Sequence, residues 1–284
     1  MEIFKKKKIL AVFHDAGAAN IGLNYLKEKK IDTKFYCTGP SYKILKSLFS
    51  NKKNIKNLYK ELKKYNLIIT GTSSSNKIEF NVRRYCKKNK IFCVTFLDHW
   101  VNYKKRFTNN RVKVLPDVLV SSDNKSYKIC KKIFKKTAIV KCINYYEKKI
   151  IEKIRRLKKG EKILYFLEPF NNKIEFVALK IFFQKLKKLK IVNQSIILKT
   201  HPSENKNKYI KFLKKYEKFK IVLDNKSSIE KLISSAKYIF GLESNALAIS
   251  QKVNKKVFTI LPLYNRKFRL PFKKIKNINK FKKF

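Results

Sequence analysis

Short runs of apolar, often β-branched residues alternate along this chain with longer lysine-rich segments in which apolar residues recur at helical spacing. The runs fall at residues 9–13, 33–36, 67–70, 91–97, 118–120, 163–167, 195–198, 220–223, 238–240 and 256–261. The segments of helical period include 18–29, 42–49, 78–88, 174–189, 204–216 and 228–235. A run that is apolar at every position, not at alternate ones, suits a parallel strand buried on both faces, and helices between such strands are crossovers. The pattern predicts an α/β protein.

A highly charged helical stretch, 145–159, ends at Gly160, and a new series of strands and helices starts at Lys162. This predicts a boundary between an N-terminal domain, residues 1–155, and a C-terminal domain, residues 160–284. Two Rossmann-like βα domains in tandem would face each other across a cleft. No repeat of solenoid length is visible. The basic tail, 272–284, reads either as a helix packed on the surface or as a loose end.

Charge changes the picture less than its size suggests. The 284 residues carry 71 Lys+Arg against 19 Asp+Glu, a formal net charge of +52, yet 44% are hydrophobic, enough for a packed core. Of the cations 63 are lysine and only 8 arginine. A protein that reads phosphate geometry favours the bidentate guanidinium, so the excess reads first as codon drift toward lysine. Part of it would suit peripheral contact with an anionic membrane surface. A basic nucleic-acid-binding protein is the rival reading; no zinc-finger spacing, RNP-type strand or GXXG loop supports it. Five widely spaced cysteines without CxxC signal neither a disulfide framework nor a zinc site. No secretory signal or spanning segment is visible, which predicts a cytoplasmic protein, with peripheral contact at the inner face of the membrane as a further expectation. DxD, HExxH, GxxxxGK[ST] and GxSxG are all missing, so neither a bound metal nor any cofactor is expected.

In open α/β sheets, ligands bind beyond the carboxyl ends of the strands. All three histidines fall there: His14 after the first strand, His99 in Asp98-His99-Trp100, and His201 in Thr200-His201-Pro202. Gly17, Thr72, Ser73, Glu168, Gly241, Glu243, Ser244 and Asn245 follow other runs in the same way. Gly17 opens a helix that continues through Asn20, where free N–H groups would face an anion. Ser244 is either an ordinary N-cap or a phosphate donor, two compatible roles.

Thr200-His201-Pro202 and Gly241-Leu242-Glu243-Ser244-Asn245-Ala246-Leu247, in a chain of two tandem βα domains, resemble the HP and S motifs of bacterial sialyltransferase-like GT-B glycosyltransferases. The resemblance implies an inverting, metal-independent transfer of a sugar from a CMP-activated donor to a surface-glycan acceptor, as in polysaccharide biosynthesis. It implies donor contacts at Thr200, Pro202, Glu168, Gly241, Glu243, Ser244 and Asn245, with His201 on the leaving phosphate. His14-Asp15-Ala16-Gly17 is similar in position to the family's acidic motif, which makes Asp15 the preferred general base and Asp98 its rival. Acceptor contacts are expected at His14, Gly17, Asn20, Thr72, Ser73, His99 and Trp100. A UDP-sugar transferase, or an enzyme like the UDP-GlcNAc 2-epimerases, is the alternative on the same scaffold.

Overall fold

The computed structural model describes residues 2–5, 7–73, 76–169, 172–191, 193–201, 204–205, 207–261 and 267–282. The chain divides into two compact units, Met1–Lys148 and Lys149–Phe284.

Unit 1 runs β1 (Ile9–Phe13), α1 (Ala16–Glu28), β2 (Lys34–Cys37), α2 (Pro40–Leu48), α3 (Leu58–Glu61), β3 (Leu67–Thr70), α4 (Ile78–Lys88) and β4 (Phe92–Phe96). It continues through α5 (Tyr103–Arg106), a small antiparallel pair β5 (Thr108–Asn109) and β6 (Val112–Lys113), β7 (Val118–Ser121), α6 (Asn124–Ile133) and β8 (Ala138–Lys141). Helix α7 (Tyr145–Arg156) carries the chain across the division into unit 2. The main sheet is parallel, in the order β2-β1-β3-β4-β7-β8. Every residue of β1 is buried, as a central strand between two helical layers requires. One face packs Phe13, Tyr25, Phe35 and Phe96 together; the other packs Leu10, Val12, Ile68, Val82 and Cys86. Asp123 caps α6 by accepting the N–H groups of Lys125 and Ser126 at 2.7 and 2.8 Å.

Unit 2 comprises β9 (Lys162–Phe166), α8 (Asn172–Lys188), β10 (Ile196–Lys199), α9 (Asn207–Leu213), β11 (Ile221–Asp224), α10 (Ile229–Ser235), β12 (Ala236–Gly241), α11 (Asn245–Lys252), β13 (Lys256–Thr259) and β14 (Lys276–Asn277). Its sheet is also parallel, ordered β11-β10-β9-β12-β13-β14. Its core is rich in aromatic rings, among them Tyr165, Phe182, Phe183, Phe240, Phe258 and Phe281. No helix among the described residues is long and apolar enough to cross a membrane.

Each strand expected from the apolar runs is present, with ends shifted by a residue or two. Strand β8 was not expected, because only Ile139 of its four residues is buried and the apolar signal is correspondingly short. The tail corrects both readings offered for it. Residues 276–277 add a sixth strand to the sheet, and Phe281 then turns inward, its ring 5.1 Å from those of Tyr238, Phe240 and Phe258. Burying Ile278 and Phe281 outweighs the repulsion among the lysines that flank them. Phe281→Ala should therefore cost unit 2 about 3–5 kcal/mol. Hydrogen exchange of the β9 and β12 amides measures it; protection unchanged from wild type would show that the ring carries no such load.

Candidate functional site

In a doubly wound sheet the order reverses at a switch point, and the loops that leave the two strands there diverge toward opposite faces and open a crevice. In unit 1 the reversal falls between β1 and β3, and in unit 2 between β9 and β12. Some of the sequence's candidates follow those strands, among them His14, Asp15, Thr72, Glu168 and Ser244, while Asp98, His99 and Trp100 follow β4 and Thr200 and His201 follow β10.

In unit 1 the two loops are joined by Glu79, from the first turn of α4. It is fully buried, and its carboxylate accepts the N–H of His14 at 2.9 Å and that of Ser73 at 2.5 Å. Burial pushes its pKa up to about 7, against the pull of those two amides. Arg83, one helical turn on and 1% exposed, donates to the Gly71 carbonyl at 2.7 Å and to the Arg106 carbonyl at 3.3 Å. Arg106 in turn donates to Asp98 Oδ1 at 2.7 Å, to Thr72 Oγ1 at 2.9 Å and to the Val101 carbonyl at 3.1 Å. Asp98 Oδ2 lies so close to Gly17 that a Cβ there would stand 1.9 Å away. The near approach that Gly17 permits is thus made by the chain's own carboxylate, beside the N-terminus of α1, where negative charge is favoured.

His14 and Asp15 stand beside this group. His14 Nδ1 is 2.9 Å from Thr38 Oγ1, its ring rests over Gly39, and its Nε2 is 4.0 Å from Asp15 Oδ1. Gly39 has φ +53°, a left-handed conformation, and the ring leaves no space for a Cβ. Asp15 occupies the N-cap position of α1 without using its side chain as a cap. Asn20 is half-buried on the same helix, a turn beyond Gly17. Trp100 is 7% exposed, and its indole N–H donates to Asp123 at 2.8 Å; the His99 ring packs 5.5 Å from it. The structure therefore puts Trp100 in the wall that supports the loop, while His14, Asp15, Gly17, Thr72, Ser73 and Asp98 come together.

In unit 2, Glu168 follows β9 and is buried beneath Gly241. Its carboxylate accepts the N–H of Leu242 at 2.8 Å and that of Glu243 at 2.9 Å. Burial pushes its pKa up to about 7 as well, again against the amides. Glu168 thus engages the amides of the loop that leads into α11. Glu243 is held by the Arg269 guanidinium, whose Nη2 is 2.7 Å from Oε2, and by the Arg269 N–H. Ser244 sits at the N-cap of α11 but makes no side-chain cap. Its Oγ and the Oδ1 of Asn245 are buried atoms with no hydrogen-bond partner among the described residues.

Thr200 is buried at the end of β10, its N–H donating to the Asp224 carbonyl at 3.1 Å. His201 is exposed, yet the chain crowded around it lowers its pKa, with Glu204 pulling the other way. Its carbonyl accepts the Glu204 N–H at 3.0 Å. Glu204 shares Tyr209 and Lys208 with the buried Glu175, so a polar knot lies directly behind the histidine. Pro202 lies outside the described residues. Among the described residues no three His, Cys, Asp or Glu side chains are grouped to hold a metal ion.

Sequence reasoning missed Glu79, Arg83, Arg106 and Arg269. The arginines had a signal, their rarity among the lysines, whereas Glu79 looks like any acidic residue in a first helical turn.

Two tandem parallel units of six strands, the second in Rossmann order, define the GT-B fold. No protein-family model matches the sequence, and no curated protein matches it. Among solved structures the chain resembles the UDP-GlcNAc 2-epimerase from Neisseria meningitidis bound to UDP-GlcNAc, with 14% identity over 91% of this chain and 84% of that one and a TM-score of 0.62. It resembles S. aureus MnaA in complex with UDP to the same degree, with 14% identity, 92% and 81% coverage and a TM-score of 0.62. The wall teichoic acid polymerase TagF with CDPG follows at 13% identity, 91% and 71% coverage and a TM-score of 0.51. At such identities the likeness establishes the fold.

Glu168 gives a pH test. An acid whose folded pKa is raised from 4.5 to about 7 stabilises the fold fully below the unfolded value and loses that contribution as pH rises through about 7. Wild type should lose up to about 3 kcal/mol relative to Glu168→Gln between about pH 5 and pH 8. Urea denaturation across that range reads it, and a constant difference would refute the buried-acid assignment.

Proposed function

We propose that the chain is an inverting, metal-independent glycosyltransferase, in which unit 2 holds a nucleotide-activated sugar and unit 1 presents the acceptor hydroxyl. The observation that carries this reading is the pair of unpartnered buried atoms, Ser244 Oγ and Asn245 Oδ1, at the start of α11 beside the switch point of unit 2. Leaving such atoms unsatisfied costs about 1–3 kcal/mol each, and a ligand that completes them accounts for their retention. A hydroxyl donor and an amide acceptor side by side suit a phosphate oxygen and a neighbouring ribose or base group.

The step forms a bond between the acceptor oxygen and the anomeric carbon while the bond to the donor phosphate breaks and its electron pair leaves with the phosphate. Asp15 takes the acceptor proton. Asp98 is less suited, because Arg106 and Thr72 engage its Oδ1 and Gly17 backs its Oδ2; it positions Arg106 and the loop. His201, with its pKa below the ordinary 6.5, is neutral at pH 7 and donates one N–H to the developing phosphate charge.

The resemblance of His201-Pro202 and Ser244-Asn245 to the HP and S motifs supports a CMP-linked sialic acid, another nonulosonic acid or Kdo as donor. A surface glycan or lipid-linked sugar, met at the inner face of the membrane, is the corresponding acceptor. The second reading is a UDP-sugar enzyme, either a transferase or one like the 2-epimerases, and the fold likeness to the epimerase structures favours it. Calorimetric titration with CMP, CDP and UDP separates the two: selective CMP binding supports the first and selective UDP binding the second. Binding of none of them would sink both.

With the donor so identified, Asp15→Asn should lower kcat by about 100-fold or more with nucleotide binding intact, and His201→Ala by about 100- to 1000-fold. A near-normal kcat in either variant removes that residue from the mechanism. Turnover should withstand EDTA, and activity lost to the chelator and restored by magnesium or manganese would overturn the metal-independent step.

A further inference from the structure

A cavity of about 270 Å³ opens in unit 1 where the start of α4 meets α5, lined by Lys77, Lys105, Arg106, Ser73, Thr108 and Phe80 among others. Among the described residues no carboxylate lines it. Arg106 reaches it from below with its side chain 17% exposed, and the one acid paired with it, Asp98, stands on the far side against Gly17. Arg106 is the one guanidinium among the described lining residues, and the ammonium groups of the exposed Lys77 and Lys105 stand beside it. Asp98 neutralises one of these three cations, Arg106.

Lysine-lined hollows also occur elsewhere. One of about 650 Å³ in unit 2 is ringed by Lys273, Lys274, Lys276 and Lys280, but it contains no arginine and lies at the starting ends of β13 and β14. The unit 1 cavity adjoins Thr72 and Ser73, at the carboxyl end of β3 where the acceptor is placed. The Ser73 hydroxyl, which accepts the Asn76 N–H, adds a donor for a multi-oxygen anion, and Phe80 supplies apolar wall.

We propose that this cavity is an anion subsite that holds a phosphate ester carried by the acceptor. The proposal rests on the transferase reading above and specifies its acceptor class: a phosphorylated sugar or glycan instead of a neutral one. Arg106 and the ammonium groups of Lys77 and Lys105 grip the phosphoryl oxygens and so set the sugar hydroxyl over the loop that carries Asp15.

The full chain is titrated by calorimetry with glucose 1-phosphate, glucuronate and glucose at fixed ionic strength. The test compares wild type, a Lys77→Gln/Lys105→Gln variant, and a Lys60→Gln/Lys132→Gln control that removes the same charge outside the cavity. Wild type should bind glucose 1-phosphate more tightly than the other two, and the cavity variant should weaken it about tenfold or more while the control changes it less than about twofold. Equal losses in both variants would reduce the site to a diffuse field and overturn the proposal. So would equal binding of glucose, tighter binding of glucuronate, or no binding of glucose 1-phosphate by wild type. CMP and UDP titrated into the same proteins report on the transferase reading separately, since the cavity variant leaves unit 2 untouched.

Discussion

A buried carboxylate gripped by backbone N–H groups ties together the strand ends on which each unit builds its site. At a switch point neighbouring strands send their chains to opposite faces, and the first amides beyond the strands lose their ladder partners. Glu79 collects those of His14 and Ser73 in unit 1; Glu168 collects those of Leu242 and Glu243 in unit 2. An isolated buried carboxylate would cost several kcal/mol, and charge-assisted bonds from two amides offset much of that. His14, Asp15, Thr72, Ser244 and Asn245 all hang from loops fixed this way. The device is the same in both units although the acid comes from a helix in one and from a strand end in the other.

The second constraint is geometric. Lysine outnumbers arginine 63 to 8, so a position that needs only positive charge has become lysine almost everywhere. Arg83, Arg106 and Arg269 each use the planar fork: Arg83 spans two carbonyls, Arg106 spans a carboxylate, a hydroxyl and a carbonyl, and Arg269 clasps Glu243. Arg84, Arg111, Arg155 and Arg156 are exposed. Against a lysine background, an arginine that closes such a fork, whether buried like Arg83 or exposed like Arg269, marks a place where shape and not charge alone is required.

Much of the fold was legible because parallel strands buried on both faces leave continuous apolar runs. The strand-end histidines were legible for a related reason, since a polar residue closing such a run must lie at the rim of the sheet. What escaped was action at a distance along the chain. Glu79 acts on His14 across 65 positions and Glu168 on Leu242 across 74, and no local pattern encodes either pairing. The bond from the Trp100 indole to Asp123, 23 positions on, is another pairing that no local pattern shows. The tail buries Phe272, Ile275, Ile278 and Phe281, spaced by three among lysines, a period that matches neither a strand nor an α-helix.

The way the tail completes unit 2 has a consequence during synthesis. Unit 1 has all six strands of its main sheet once residue 141 is made, so it can close while the remainder of the chain is still being translated. Unit 2 waits for its last strand and for Phe281. Until that ring arrives, the edge of β13 is unpaired and the faces of Tyr238, Phe240 and Phe258 stand open. The nascent protein therefore passes through an interval in which a finished unit 1 carries an adhesive, half-built neighbour, and residues 276–281 are the ones that close it.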